Sequence, residues 1–544
     1  MKLYINKSIL CAGLLALTSF SSCMQETDVT EYATQKQVNN SANAAQYLLM
    51  GIPAYFNAAL TDVENHYEFG YGAMMHIRDV ETGDAPYTFS DYGIWFENWL
   101  CNKNIGQDYS VARYPWKYYY ALIQKANNVL GALDETTATK EQLGYLGAAH
   151  AFRAMAYLDI APMYEFLPNE KNTTGKNSDG NDVMGLTVPI VTEKTTLTEA
   201  RNNPRAKKAD MVEFILSDLQ IAEKYIPYLT VESKTFPHMA EIYGLEARLY
   251  MWQEDYVKAK EFARKAINAT DCVPMTESQC LNTRTGFNTL SPWMWGSQQT
   301  SEDRTVTSGI INWTSFMSNE QDFGYASAGV SSMIDKSMYD RISNTDFRKL
   351  EFVAPEGSPL ASKIQFVNKK YSDLPAYFSL KFRPSEGAYN ASKTAAASAY
   401  PLMRVEEMYF IEAEAAAHEN PAEGKQLLES FMKNYRDAEY SCTVSSKDDV
   451  IEEIVFQKRV ELWGEGRTFY DIKRLNYSVT RGYEGTNYYS TSRFNTNGRP
   501  AWMNFVFHRS EAENNTALRG YNNPDPSKCY TPWVEKKQIK FVIS

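Results

Sequence analysis

Residues 240–267 read AEIYGLEARLYMWQEDYVKAKEFARKAI, two helical patterns flanking a tight break at 253–255. In the second pattern Tyr256, Ala259, Phe262, Ala263 and Ala266 recur at the spacing of one helix face. Such a pair constrains the fold, because neither helix can bury its apolar face alone and neighbouring pairs must stack. The plan recurs at 402–432 (LMRVEEMYFIEAEAAAHENPAEGKQLLESFM), with its break at Asn420 and Pro421, and at 451–475, with a turn near 464–466. Two longer helices are expected at 114–133 and 143–164. The first places Tyr119, Leu122, Ile123, Ala126 and Val129 on one stripe, and the second is ended by Pro162. Ala148, Ala151 and Ala154 let a neighbouring helix approach the second closely.

These pairs resemble tetratricopeptide repeats. The expected class is therefore mostly α, a TPR-like helix-pair scaffold with long loop insertions and a few short strands. At 544 residues the chain exceeds the size at which a single core usually keeps growing, which suits a stacked architecture. Long stretches rich in Gly, Ser, Thr, Asn and Pro separate the pairs, notably 169–205 and 271–400. They also carry Trp and Tyr, which argues against simple disorder. The formal charge is -11 with no basic tract, so nucleic acid is excluded as a partner.

The N-terminus combines Lys2 and Lys7, the short apolar run ILCAGLLAL at 9–17, and then small residues. That run is too short to span a bilayer, which takes about 20 apolar residues, and the order is that of a secretory signal peptide. Ser21, Ser22 and Cys23 resemble the lipobox of bacterial lipoproteins, although Phe20 stands where a Leu is usual. The expected division is a signal peptide at 1–22, a lipidated Cys23 opening a polar tether at 23–40, and one domain at 41–544. Glu26 and Asp28 resemble the acidic surface-export signal of Bacteroidetes lipoproteins.

Enzyme signatures are missing from the sequence. None of the 6 His has HExxH spacing, and there is no GxSxG, P-loop or GxGxxG. Glu461 and Glu465 lie four apart, but Arg459, Arg467 and Arg474 nearby point to structural ion pairing rather than a glycosidase dyad. No metal is expected, since neither CxxC nor EF-hand-like spacing occurs. Cys11 leaves with the signal peptide. Cys272 and Cys280 either bridge a loop or remain free thiols; spacing does not choose.

The chain has 37 Tyr, 26 Phe and 10 Trp, enough to fill a core and still furnish a binding surface. Residues 91–100 (DYGIWFENWL) carry Tyr92, Trp95, Phe96 and Trp99, and the preceding 75–84 offers Arg78, Asp79, Glu81 and Asp84. Sugars have apolar C–H faces and hydroxyl edges. An open indole or phenol ring covers the face, and Arg or carboxylate groups satisfy the edge. Arg78, Asp79, Tyr92, Trp95, Trp99 and, in a second insertion, Trp313 are the candidate ligand residues. Core packing is the competing reading, since Trp95 and Trp99 stand four apart. Trp295, in the alternating PWMWGSQQT at 292–300, reads as strand and structural. The tyrosine-rich 483–492 fits either reading.

Four stretches carry a resemblance to the SusD/RagB family of Bacteroidetes surface glycan-binding lipoproteins. They are WKYYYALIQKANNVL from Trp116, AAHAFRAMAYLDIAPMYEFLP from Ala148, YPLMRVEEMYFIEAEA from Tyr400 and VFQKRVELWGEGRTFYDIKRL from Val455. The last matches the family's Arg-x-x-Glu, Gly-Glu-Gly-x-Arg and Asp-x-x-Arg signature; the terminal YTPWVE from Tyr530 is a weakened form of its closing motif. The resemblance implies a helix-pair scaffold whose loop insertions, chiefly 65–112 and 271–400, form a sugar site. It implies an oligosaccharide or polysaccharide ligand bound without hydrolysis, no cofactor, and a SusC-like TonB-dependent transporter as partner at the outer membrane. It also makes Arg459, Glu461, Gly464, Gly466, Arg467 and Asp471 a fold signature rather than a ligand site. The alternatives are a repeat scaffold that binds only protein and an importer subunit for a non-glycan nutrient such as peptide.

Overall fold

The computed structural model describes residues 43–58, 65–90, 95–284 and 286–535. The signal peptide, Cys23, the whole tether and Tyr92 lie outside the described residues. The helices that frame the core and position the candidate site are α1 (Ala44–Tyr55), α2 (Tyr71–Val80), α3 (Arg113–Ala132), α4 (Lys140–Tyr164), α5 (Lys208–Tyr225), α6 (Met239–Gln253), α7 (Tyr256–Ala269), α8 (Trp313–Met317), α9 (Val405–Glu419), α10 (Pro421–Tyr435), α11 (Lys447–Glu461) and α12 (Thr468–Leu475).

Neighbours along the chain pack on one another: α3 on α4, α4 on α5, α6 on α7, α7 on α9, α9 on α10 and α11. This is the stacked helix-pair arrangement expected from the periodicity. The α6–α7 break is a single left-handed residue, Glu254 at φ 64°, followed by Asp255, whose side chain accepts from Lys258 N and caps α7. At the α9–α10 break Asn420 caps Ala422 N and Pro421 occupies the first helical position, where its missing N–H costs nothing. Ala259, Ala263 and Ala266 are fully buried, as are Ala148, Ala151 and Ala154. Close helix approach also needs Gly144 and Gly147, where a Cβ would fall 2.5 Å from Leu229 N and 2.7 Å from Ile226 N.

Pro162 does not end α4. The helix runs on to Tyr164, because a proline this near the C-terminus forgoes only one late hydrogen bond. The exposed carbonyls are taken up instead by Lys473, whose Nζ donates to Pro162 O, Met163 O and Glu165 O at 2.7, 2.9 and 2.8 Å.

One hydrophobic cluster extends from Ala45 to Tyr530. A smaller one, including Phe410, Leu428, Phe431 and Ile454, fills the space between α9, α10 and α11. The 292–300 stretch forms β1 (Trp295–Gln298), paired antiparallel with β2 (Ala399–Met403), and Trp295 is fully buried. Among the described residues no helix is long and apolar enough to cross a membrane. Cys101, Cys272, Cys280, Cys442 and Cys529 are all free thiols, so the open choice at Cys272 and Cys280 falls to the unbridged form.

The Gly-Glu-Gly signature builds a polar centre. Glu461 accepts from Arg436 (2.7 and 2.8 Å), Arg404 (3.1 Å) and Arg348 (3.2 Å). Glu465 accepts from Arg404 (2.9 Å) and Lys381 (2.8 Å). All are buried. Burial would push Glu461 up, but Arg436, Arg404 and Arg348 override it and hold the carboxyl well below the usual range.

Glu407 is a second such centre. Burial again works to raise its pKa, yet Arg248 and Arg467 hold it at about 2. A depressed carboxylate contributes stability that is complete above the unfolded value of 4.5 and vanishes as pH falls through about 2. The melting temperature is therefore expected to drop as pH is lowered from about 4.5 to about 2. In Glu407→Gln part of that drop disappears. A pH series of thermal melts on both proteins checks this.

Candidate functional site

The surface of interest lies at both ends of residues 91–94. On one side the short segment 87–90 pairs with 329–332 across the top of the core. Tyr87 bridges Ser332, Thr88 N donates to Ser331 O at 3.1 Å, and Thr88 Oγ1 donates to Gly329 O at 2.8 Å. Gly329 holds a positive φ of 81°, and a Cβ there would stand 3.3 Å from Ser90 Cβ. This pairing places Phe89 against Tyr489, with ring centroids 4.2 Å apart and planes at 19°. Tyr489 is 46% exposed, so its phenol is an open face backed by a second ring.

On the other side stands Trp95, half-buried just before the one-turn helix Glu97–Leu100. Its indole stacks on His66, centroids 4.4 Å apart and planes at 22°. His66 Nδ1 is hydrogen-bonded to Tyr325 OH. The Tyr325 ring stacks on Phe316 at 3.9 Å, and Phe316 stacks on Phe69 at 5.4 Å. A continuous row of rings thus runs from the core to Trp95 and fixes its plane. Burial lowers the His66 pKa below 6.5, so at neutral pH the imidazole under the indole is uncharged. Asn65, Ser90, Glu97 and Asn98, near these rings in sequence, are half-buried.

Four other candidates are not on this surface. Trp99 is 3% exposed and packs edge-on against Tyr67, centroids 5.2 Å apart. Trp313 opens α8 but is fully buried, wedged between Phe382 (5.3 Å) and Tyr400 (5.7 Å) and lying on Gly72. Arg78 and Asp79 lie on α2, where every residue is buried. Arg78 Nε donates to Gly466 O at 2.8 Å and its Nη1 to Tyr119 OH at 2.6 Å. The Asp79 carboxylate accepts from Gly466 N at 3.0 Å. These two charged side chains clamp the signature turn, whose Gly466 has φ 68° and would drive a Cβ to 2.6 Å from Met75 Cα. The expectation that Arg78, Asp79, Trp99 and Trp313 offer open surface is thus corrected by their burial. Trp313→Ala should cost stability, about 3–5 kcal/mol for a buried Trp, rather than ligand affinity. Denaturant titration of that variant measures it.

The structure keeps Trp95 at the surface and adds His66, Phe89 and Tyr489, with the buried Tyr325 behind His66; the flagged stretches contain them, but none is singled out as a candidate. Glu461 and Glu465 are engaged in ion pairs as expected, but by Arg348, Arg404, Arg436 and Lys381 rather than by the nearby Arg459, Arg467 and Arg474, which pair with other carboxylates. Among the described residues no group of three or more His, Cys, Asp or Glu could hold a metal ion.

Fold and shelf together define a class: an α-helical-repeat protein presenting stacked aromatic rings to solvent. A sequence profile described as the SusD family matches residues 352–532, and another, described as starch-binding associating with outer membrane, matches residues 75–251. Each profile covers less than half of the chain, which resembles the SusD family over these two segments. It is 26% identical over 161 residues to SusD-like protein P38 of Formosa agariphila, a match covering 29% of this chain and only 27% of the relative's length. A SusD-like carbohydrate binding protein from Bacteroides vulgatus superposes with a TM-score of 0.67 at 24% identity, over 87% of this chain and 96% of its own. Surface glycan-binding protein A from Bacteroides thetaiotaomicron, solved with laminarihexaose, superposes with a TM-score of 0.61 at 15% identity, over 89% and 99% of the two chains.

Proposed function

We propose that this protein is a cell-surface glycan-binding lipoprotein that captures oligosaccharide on the Trp95 shelf and passes it to a SusC-like TonB-dependent transporter. The observation that carries the reading is the partly exposed indole of Trp95 seated on His66 at 4.4 Å. A ring held flat by a column of rings loses little freedom on binding, and its apolar face suits the C–H face of a sugar. Tyr489 on Phe89 supplies a second platform. Tyr92, within the intervening residues, is proposed as a further contact. Similarity to the SusD family and the laminarihexaose complex of a structural neighbour support glucan-type oligosaccharide as the first ligand to try.

The lipobox-like Ser21, Ser22 and Cys23 support attachment to the outer membrane through lipid on Cys23, with the body at 41–544 facing outward. More than one acyl chain makes such an anchor stable. Many copies on one surface raise the effective affinity of an open, shallow site. The protein binds and does not hydrolyse, a reading supported by the engagement of Glu461 and Glu465 in ion pairs. Affinity electrophoresis of the chain from residue 24 onward, in gels containing a panel of soluble polysaccharides, tests the proposal. Retardation by at least one glycan, with no release of shorter products on long incubation, is expected. Unretarded migration across the panel rejects it, and product release rejects the non-catalytic part.

A further inference from the structure

Away from the shelf, a cavity opens inside the helical stack between α4, α6, α9, α11 and α12. Its volume is about 100 Å³, room for several waters but far below the few hundred Å³ that larger ligands occupy. Its wall is unusually ionic. Seven Lys and Arg side chains line it against four carboxylates. Two further carboxylates, Asp159 and Glu414, reach Arg467 and Arg474 from outside the lining, so the basic groups still outnumber the acids.

One of those arginines has an unengaged donor. Arg248 directs Nε at Glu407 at 2.9 Å and Nη2 at Glu407 and Leu402 O at 2.5 and 2.7 Å. Its Nη1 is buried without an acceptor, on a side chain only 3% exposed. Arg474 directs Nη2 at Glu414 and Asp471 and also meets the Tyr256 phenol; that side chain is 6% exposed. Buried charged donors left without hydrogen bonds are costly, and guanidinium groups match planar or tetrahedral oxyanions through paired N–H bonds. Lys208 lines the same cavity, is 29% exposed and pairs with Glu165 at 3.4 Å. Lys208 and the exposed Glu254 are the more solvent-accessible part of the lining.

We propose that this cavity binds a small oxyanion of the phosphate, sulfate or carboxylate class, received by the Nη1 donor of Arg248. The site is separate from the Trp95 shelf, and its failure would leave the glycan reading untouched.

Calorimetric titration of the folded chain with inorganic phosphate, at constant ionic strength and against a chloride control, tests it. A saturable heat with one site is expected, together with a melting temperature that rises with phosphate as mass action requires. Arg248→Gln should weaken binding roughly tenfold or more, the effect of losing a charged hydrogen-bond donor. Lys208→Gln, in the more solvent-accessible part of the lining, keeps the proposal testable if Arg248→Gln does not fold; it too should weaken binding. Absence of a saturable heat with phosphate, or equal heats in wild type and Lys208→Gln, overturns the proposal and leaves water in the cavity. A melting temperature that climbs without saturating reports general salt exclusion and overturns it as well.

Discussion

Trp95→Ala should abolish retardation of the protein in glycan-containing gels while leaving its melting temperature within a few degrees of the parent. The size of the effect follows from geometry. A single rigid aromatic face at the centre of a small contact typically carries about 2 kcal/mol or more, a loss of roughly thirtyfold in affinity. The indole is half-buried and rests on one imidazole, so its removal leaves an open notch rather than an internal void. Tyr489→Ala, which strips the exposed ring from Phe89, should weaken binding less if the sugar chain extends across both platforms. Retained retardation in Trp95→Ala means that the ligand lies elsewhere.

Glu461→Gln should be the most destabilising single change in the molecule, with little or no soluble protein recovered. Glu461 is the common partner of Arg348, Arg404 and Arg436, each fully or almost fully buried. Neutralising it leaves three guanidinium groups short of countercharge where water cannot compensate. Breaking one buried pair costs about 3–5 kcal/mol, a large part of what holds a typical domain folded. Urea denaturation of whatever folds, compared with the parent, checks the magnitude. A midpoint unchanged from the parent would mean that this ion centre is dispensable. The experiment also separates fold signature from ligand site, because a surviving Glu461→Gln protein should still bind glycan.

The helical frame was readable because its signals are local. Apolar periodicity, the Asn420–Pro421 stop and the break after Gln253 each act within a few residues, and the observed helices begin and end close to where these place them. The site was readable only in part. Arg78 and Asp79 look like surface groups in the sequence, yet their partner is Gly466, 388 residues from Arg78 and 387 from Asp79. No local pattern announces such a contact. Trp313 misleads for a related reason. Its neighbours Asn312, Thr314 and Ser315 are polar, which suggests a loop in water, but their polar atoms are consumed internally. Thr314 Oγ1 meets Ser398 Oγ at 2.8 Å, and Asn312 Oδ1 accepts from Ser315 N at 3.0 Å. Trp95 and Trp99 share helical spacing without sharing a fate, because the helix is a single turn that begins after Trp95. His66 and Phe89 join the shelf through ring partners distant in sequence, Tyr325 edge-on and Tyr489 stacked.

The central claim is that stacked rings at the surface, Trp95 above all, form the sugar-binding face. A crystal structure of the chain from residue 24 onward, soaked with the oligosaccharide selected by electrophoresis, tests it most directly. The expected result is a pyranose ring lying parallel to the Trp95 indole, with His66 beneath it. Well-ordered sugar bound at any other surface, with the Trp95 face left to solvent, would contradict it.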